Sequence, residues 1–422
     1  MPEPAPPASL TTAPLTAAAV DDADAATARA AMVARLHAAG HLSPGPVSEA
    51  LLALPRQALM PQAYVRRSSP DETPPRWDLL DWSVPEDRDE LLRVLYSGDS
   101  VAVQHDGEPL LGRSRGTRTG GAMTSMSSVM GMTAELLQEL DLEPGQRVLD
   151  IGTGTAVTAA VACFVSSDAR VVTIDIDYHV TSAAAAHLAD LGYRPTVVTG
   201  DGEAGWLDRA PYDRMLISFA VPRVPRALVE QLAPQGLLLA TVGTSSPSWP
   251  GLAVITKTAQ GRVEGELRAV EFGHRAGWGR DRLFLSAAFR AQMATAEGVT
   301  VRGHRLPPPP EARGFWLALD HLRPGLVRNF GAEHLQIGAP ECGSWVRMSP
   351  NGDGMCSVTA FGPRAIWHEI EQIAARWQAA GEPDAYRIEF YADGKQWAVA
   401  GFGRNKLCWP LHDQRPLKGD PR

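Results

Sequence analysis

Through the middle third of the chain, short apolar runs take turns with longer amphipathic stretches. The runs at Arg147–Ile151, Val171–Asp175, Thr196–Gly200, Arg214–Ala220 and Gly236–Val242 read as buried strands. Between them, Ala156–Val165, Thr181–Leu191 and Arg226–Leu232 carry helical patterns, and ahead of the first strand Thr124–Gln138 runs into a helix. Strands alternating with helices of this length predict an α/β fold: a Rossmann-like, mostly parallel sheet with helices on both faces. Right-handed crossovers then bring the strand C-termini to one edge, where a ligand binds.

The flanks read differently. Residues 1–26 are rich in Pro, Ala and Thr, carry Asp21, Asp22 and Asp24, and predict a disordered tail. A helical pattern starts at Thr27, stops at Gly40 and resumes in a second helix ending at Leu52-Ala53-Leu54. The domain spanning 27–280 holds two expected insertions, 66–90 with Trp77 and Trp82, and 104–121 with Arg113, Arg115 and Arg118 among glycines. The second takes two readings, a solvated loop or a clamp over an anionic substrate. Residues 281–312, with a helical segment at Leu283–Ala296 and the Pro307–Pro310 run, read as a linker. Beyond it, 313–422 predicts a smaller C-terminal α+β module. Its strand-like pieces lie around Trp316–Asp320, Leu335–Ile337, Ser344–Met348 and Cys356–Phe361, and its helix spans Ala365–Ala380. A hairpin turns at Asp393-Gly394 between Tyr386–Tyr391 and Gln396–Ala400.

Composition narrows the classes. A 44% hydrophobic content is ordinary for a soluble globular protein, and a formal charge of −8 argues against a general nucleic-acid partner. Cys163, Cys342, Cys356 and Cys408 are scattered without a C-x-x-C pair, so reduced structural thiols are expected and no metal site. With no apolar run of membrane-spanning length and no secretory pattern, a cytoplasmic protein without a membrane partner is expected.

The chemistry centres on Val148 to Thr155. In a strand–glycine turn–helix unit the glycines let the backbone approach a ligand, and the helix N-terminus offers unpaired N–H groups. No Lys-Ser/Thr pair follows, which excludes a P-loop, and Val157 replaces the third glycine of the dinucleotide pattern. A carboxylate ahead of Gly-x-Gly resembles the first motif of S-adenosylmethionine-dependent methyltransferases. The cofactor candidates at this turn are Asp150, Gly152, Thr153, Gly154 and Thr155. Asp175, with Ile176 after it, ends the second strand about 20 residues past the glycines, where an acid meets ribose hydroxyls. Gly200, Asp201 and Gly202 end the third strand, with Asp201 placed to accept from an adenine amino group, and Ser218 at the end of the fourth borders the methionine end. Each acid alone reads as a cap or surface charge; at successive strand ends they read together as a site.

About half the chain resembles the protein-L-isoaspartate O-methyltransferases. The resemblance rests on Leu51-Leu52-Ala53-Leu54-Pro55-Arg56 with Met60-Pro61, and on Val148–Thr155. It continues through Gly200–Trp206, Ala210-Pro211-Tyr212-Asp213, Val221–Pro225, Leu228 and Gln231-Leu232. It implies S-adenosylmethionine as cofactor and methyl transfer to an Asp or isoAsp carboxylate of a peptide or protein. It also implies that Ser125, with Thr124, holds the substrate carboxylate. Three departures surround the substrate entry: Ser127 replaces the proline after Ser125, Ala156-Val157 replaces the family's Gly-Tyr, and the two insertions and C-terminal module are additions. The arrangement looks like the extended actinobacterial homologues that tailor ribosomally made peptides, such as lanthipeptides with an FxLD-type leader. Three readings follow: a peptide-tailoring carboxyl methyltransferase whose ester closes to a succinimide and hydrolyses to isoAsp, a general isoaspartate repair enzyme, or a binding protein without turnover.

Overall fold

The computed structural model describes residues 23–69, 72–244, 251–270, 285–330, 335–351 and 354–411. Most of the expected tail lies outside these residues, and the first helix already starts at Ala23. Helices α1 (Ala23–Ala38), α2 (Pro46–Ala53) and α3 (Arg56–Leu59) lead into β1 (Gln62–Arg66) and β2 (Arg76–Asp81). After α4 (Pro85–Leu95) come β3 (Val101–His105), β4 (Gly116–Thr119) and β5 (Met123–Ser127). These strands form an antiparallel sheet in the order β4-β2-β1-β3-β5.

Two expectations are corrected here. The stretches 66–90 and 104–121 are not loops throughout: β2, the start of α4 and β4 fall within them, and β2 pairs with β1 over Gln62↔Asp81 to Arg66↔Trp77. Pairing buries Leu79 and Leu80, whose apolar signal is only two residues long and is flanked by prolines and charges. Thr124–Ser127 is likewise strand, because β3 offers it a partner edge; the helix begins only at Met130.

The central layer follows with α5 (Met130–Glu139), β6 (Val148–Ile151), α6 (Val157–Ser166), β7 (Val171–Asp175), α7 (Tyr178–Asp190) and β8 (Thr196–Thr199). It continues through β9 (Tyr212–Val221), α8 (Arg226–Gln231), β10 (Leu232–Val242), β11 (Gly251–Lys257) and β12 (Val263–Ala269). Then come α9 (Ala287–Thr295), β13 (Val299–Arg305), α10 (Arg313–Leu322), β14 (Val327–Phe330), β15 (Leu335–Ala339), β16 (Ser344–Pro350) and β17 (Met355–Phe361). The chain ends in α11 (Ile366–Ala379), β18 (Ala385–Phe390), β19 (Gln396–Ala400) and β20 (Leu407–Leu411).

Among the described residues the central sheet has ten strands in the order β20-β19-β18-β12-β11-β10-β9-β6-β7-β8. Only β10, β9, β6, β7 and β8 are mutually parallel, so the sheet is half parallel and half antiparallel. The C-terminal stretch divides between two sheets. Strands β14 to β17 pair with β13 in the order β13-β17-β16-β15-β14, whereas β18 joins β12. The presumed linker therefore contributes α9 and β13. Trp316–Asp320 is helix α10 rather than strand; its apolar run is buried from Gly314 to Asp320, and such a run carries no period to tell helix from strand.

Side-chain alternation along the strands builds two cores. Val148, Val171, Leu216 and Leu239 face α1, α2, α5 and α6, while Leu149, Val172, Ile174, Met215, Ile217 and Leu238 face α8, α10 and α11. The C-terminal helices thus share this second core with α8, and α10 packs against β12 in the antiparallel half of the sheet. Gln396 on β19 locks the join: it donates to Val224 O at 2.7 Å and accepts from Val224 N at 3.1 Å. Among the described residues, no helix is long and apolar enough to cross a membrane.

Candidate active site

The site is built where β6, β7, β8 and β9 end together. Beyond β6 the chain turns through Gly152 (φ 92°) and Gly154 (φ 49°), left-handed conformations that glycine adopts without steric cost. Space demands glycine too. A Cβ on Gly152 would lie 3.0 Å from the Phe219 ring, and one on Gly202 would lie 2.3 Å from Ile151 Cγ2. Gly152 N and Thr153 N donate to Ile174 O, which fastens the turn to β7.

Asp175 ends β7 and is part-buried. Its Oδ2 accepts from Gly154 N at 3.1 Å and its Oδ1 from Asp177 N at 3.1 Å. Burial pushes its pKa up, and the two backbone donors pull it down. A carboxylate has about four acceptor positions, so Asp175 retains capacity for a diol. Ile176 beside it is 78% exposed, an apolar surface at the same edge. Gly200 N donates to Asp175 O at 2.9 Å, drawing the end of β8 against β7. The exposed Asp201 caps the following turn by accepting from Glu203 N at 3.0 Å.

Asp150 sits elsewhere than expected. Its carboxyl is 1% exposed and accepts from Thr158 Oγ1 and Thr173 Oγ1, both at 2.8 Å, in the seam between β6, α6 and β7. Burial pushes its pKa up to about 7, against the pull of the two hydroxyls. Its carboxyl is engaged within the framework of β6, α6 and β7. Thr153 is similarly withdrawn, 2% exposed with its hydroxyl 2.7 Å from that of Thr173.

Two hydroxyls stand out. Among the described residues, Ser125 Oγ and Ser218 Oγ are buried without a hydrogen-bond partner. Each lies beside a glycine of the turn: a Cβ on Gly154 would be 3.9 Å from Ser125 Oγ, and one on Gly152 would be 3.5 Å from Ser218 Cβ. Buried hydroxyls are ordinarily paired, so these two mark positions suited to polar ligand atoms. Thr124 and Ser127 are committed. Thr124 Oγ1 donates to Gln104 Oε1 at 2.7 Å, and Ser127 Oγ accepts from Arg56 at 3.1 Å.

The loop arginines form no free clamp. Arg113 donates to Glu108 at 2.8 Å, Arg118 approaches the same carboxylate at 3.3 Å, and Arg115 donates to Asp87 at 2.6 Å. A shallow recess opens beside the turn, lined by Gly154 and Thr155, by Ala183, Ala184 and His187 of α7, and by Gln62, Val103 and Arg113. Sequence reasoning missed Gln104. It is 1% exposed on β3, opposite Ser125, and its amide donates to Asp177 Oδ2 at 2.8 Å. No glycine or motif marks that position.

Part of the chain is similar in sequence to known proteins. The pattern of the protein-L-isoaspartate(D-aspartate) O-methyltransferase family matches residues 117–272. A protein-L-isoaspartate O-methyltransferase of Gloeobacter violaceus is 36% identical over 142 residues, 33% of this chain and 68% of the relative. One of Aeropyrum pernix is 39% identical over 147 residues, 34% of this chain and 55% of the relative. The chain thus spans about half the length of the Aeropyrum protein. A solved protein-L-isoaspartate O-methyltransferase aligns over 90% of this chain and 99% of its own, at 18% identity and a TM-score of 0.46.

Proposed function

We propose that the chain transfers a methyl group to a peptide carboxylate, and the premise is its family: the chain belongs to the protein-L-isoaspartate O-methyltransferases. The observation that carries the reading is the pair of unpartnered hydroxyls, Ser125 and Ser218, beside the glycines of a strand–turn–helix unit. The residues fit S-adenosylmethionine. Asp175 would take the ribose hydroxyls, Ile176 would cover the adenine, Asp201 would accept from its amino group, and Ser218 would border the methionine end. When bound, the cofactor supplies an electrophilic sulfonium methyl group.

The chain's own work is then mostly positioning. A substrate carboxylate is already ionised at neutral pH, so no general base is required. Ser125 Oγ would donate to that carboxylate and fix its direction, with Thr124 shaping the same strand. Holding two partners at reacting distance and keeping water out contributes most of the rate in such a site. The ester formed is a better electrophile than the acid. The next backbone amide nitrogen can displace methanol from it to close a succinimide, whose hydrolysis gives Asp and isoAsp.

A finer reading is a modified, ribosomally made peptide, selected through the elements built around Ser125. Its support is that β5, which carries Ser125, is the edge strand of a five-stranded antiparallel sheet. General isoaspartate repair is the second reading, favoured by the names of the relatives. The experiment is mass spectrometry of methyl incorporation from S-adenosylmethionine into an isoaspartyl peptide, its ordinary Asp counterpart, and a cyclised precursor from the same genome. Asp175→Ala serves as the control expected to bind no cofactor. Methylation of isoaspartyl peptides regardless of context supports repair. No methyl on any of the three, with cofactor still bound, leaves a binding protein and overturns the proposal.

A further inference from the structure

We infer that Gln104 is a positioning residue that holds the substrate strand in register with the cofactor turn; the inference rests on the methyl-transfer reading above. Gln104 lies on β3 directly across from Ser125 on β5, and the ladder between these strands shifts register on both sides of it. Such a bulge sacrifices regular pairing and re-aims one side chain. Here the re-aimed side chain is an amide, 1% exposed, that touches three separate elements. Its Oε1 accepts from Thr124 Oγ1 at 2.7 Å, next to Ser125. Its Nε2 donates to Glu108 O at 3.1 Å and to Asp177 Oδ2 at 2.8 Å. Both amide protons and one carbonyl lone pair are thereby used.

Asp177 carries the link onward. Its Oδ1 caps α7 by accepting from His179 N at 2.7 Å, and its own N–H donates to Asp175 Oδ1 at 3.1 Å. Asp175 in turn holds Gly154 N at 3.1 Å. An unbroken run of hydrogen bonds therefore joins the strand that bears Ser125 to the acid expected on the ribose and to the turn itself. The antiparallel sheet and the central sheet are separate, and nothing in their ladders fixes one against the other. Gln104 does so through side-chain bonds at the point where a displacement of about 1 Å can cost a hundredfold in rate.

The test is a double-mutant cycle of Gln104→Leu and Ser125→Ala. Turnover is measured at saturating S-adenosylmethionine on a short isoaspartyl peptide. Calorimetry with S-adenosylhomocysteine counts intact cofactor sites. Gln104→Leu should lower kcat by roughly tenfold or more per intact site. In the Ser125→Ala background it should cost less than about twofold, because the group through which it acts is gone. Additive losses, or a fall in rate that only follows the loss of cofactor sites, overturn the inference and assign Gln104 to stability alone. Where Gln104→Leu does not fold, Thr124→Val removes one hydroxyl from the same link and enters the same cycle. A wild-type protein that methylates no peptide sinks the activity reading itself, and this inference with it, whereas an active wild type with an additive cycle sinks this inference only.

Discussion

The two faces of the central sheet are covered in different ways. On one, the N-terminal helices pack with α6 and α7, and the antiparallel sheet brings Ser125 to the glycine turn. On the other, α10 and α11 seal the sheet with Phe315, Trp316, Trp367, Ile370 and Trp377. Buried polarity differs accordingly. In the C-terminal region Asp320 and Arg328, both 0% exposed, meet in a bidentate ion pair at 2.6 Å. At the turn, two serine hydroxyls have no partner. Unpartnered atoms such as Trp345 Nε1 and Trp409 Nε1 occur in the C-terminal region as well. What sets the turn apart is that its spare hydroxyls sit beside left-handed glycines at the strand ends. Polar groups that consume one another point to architecture; groups that retain capacity where backbones must pass closely point to a ligand.

The most severe way to break this comparison is to remove one side of it. A chain ending at Arg305 loses α10, α11 and three strands of the central sheet, and with them the β18 partner of Leu267 on β12 and the Gln396 bonds that hold Val224. We expect no cooperative unfolding transition in urea and no near-ultraviolet dichroism from such a chain. If it folds and binds S-adenosylhomocysteine, the C-terminal region is an accessory module and not one of the two walls.

Next in size is the buried ion pair. Asp320→Ala leaves Arg328 charged in an apolar setting, over the Trp316 ring at 4.9 Å. It should cost about 3–5 kcal/mol in urea unfolding, while the double change Asp320→Leu with Arg328→Met costs far less. The surviving folded fraction should bind cofactor with unchanged affinity. A large change in cofactor affinity would show that this pair also shapes the site.

Much of the sheet was legible because each strand end combines an apolar run with a turn residue, as at Asp175 and at Gly200-Asp201-Gly202. Failures have physical causes. Position along β6 says where Asp150 lies but not which face it takes, and the threonines that claim it come from α6 and β7. Strand β2 leaves no pattern in 66–90 because it gains its order from β1, not from its own period. Gln104 was invisible because a bulge made by tertiary pairing leaves no composition signal.

Asp150 gives a subtler probe of the framework side. Its folded pKa of about 7 lies above the ordinary carboxylate value, so the folded protein binds a proton that the unfolded chain releases between about pH 4 and 7. The sign follows: this group's contribution is fully present below pH 4 and is lost as pH rises toward 7, at up to about 1.4 kcal/mol per pH unit. Asp150→Asn should therefore flatten the decline in urea stability between pH 5 and 7. An unchanged slope would mean that the carboxyl is ionised throughout, held by Thr158 and Thr173 more strongly than burial opposes them.

The smallest effect on stability should fall on the residue with the largest proposed role. Ser125 Oγ makes no bond, so Ser125→Ala removes a buried, unsatisfied hydroxyl and should change unfolding free energy by less than about 0.5 kcal/mol, or raise it. Cofactor affinity should not move, because Asp175, Gly152 and Gly154 are untouched. Turnover on an isoaspartyl peptide should fall by roughly tenfold or more, the scale of one hydrogen bond made at the transition state. Thr124→Val should differ in stability, which it lowers because its hydroxyl is bonded to Gln104. The pair of substitutions separates a hydroxyl kept for a ligand from a neighbouring hydroxyl already bonded within the protein. Equal losses of stability in both, with turnover unchanged in Ser125→Ala, would move the substrate contact away from β5 and leave the contrast between the two faces without its functional half.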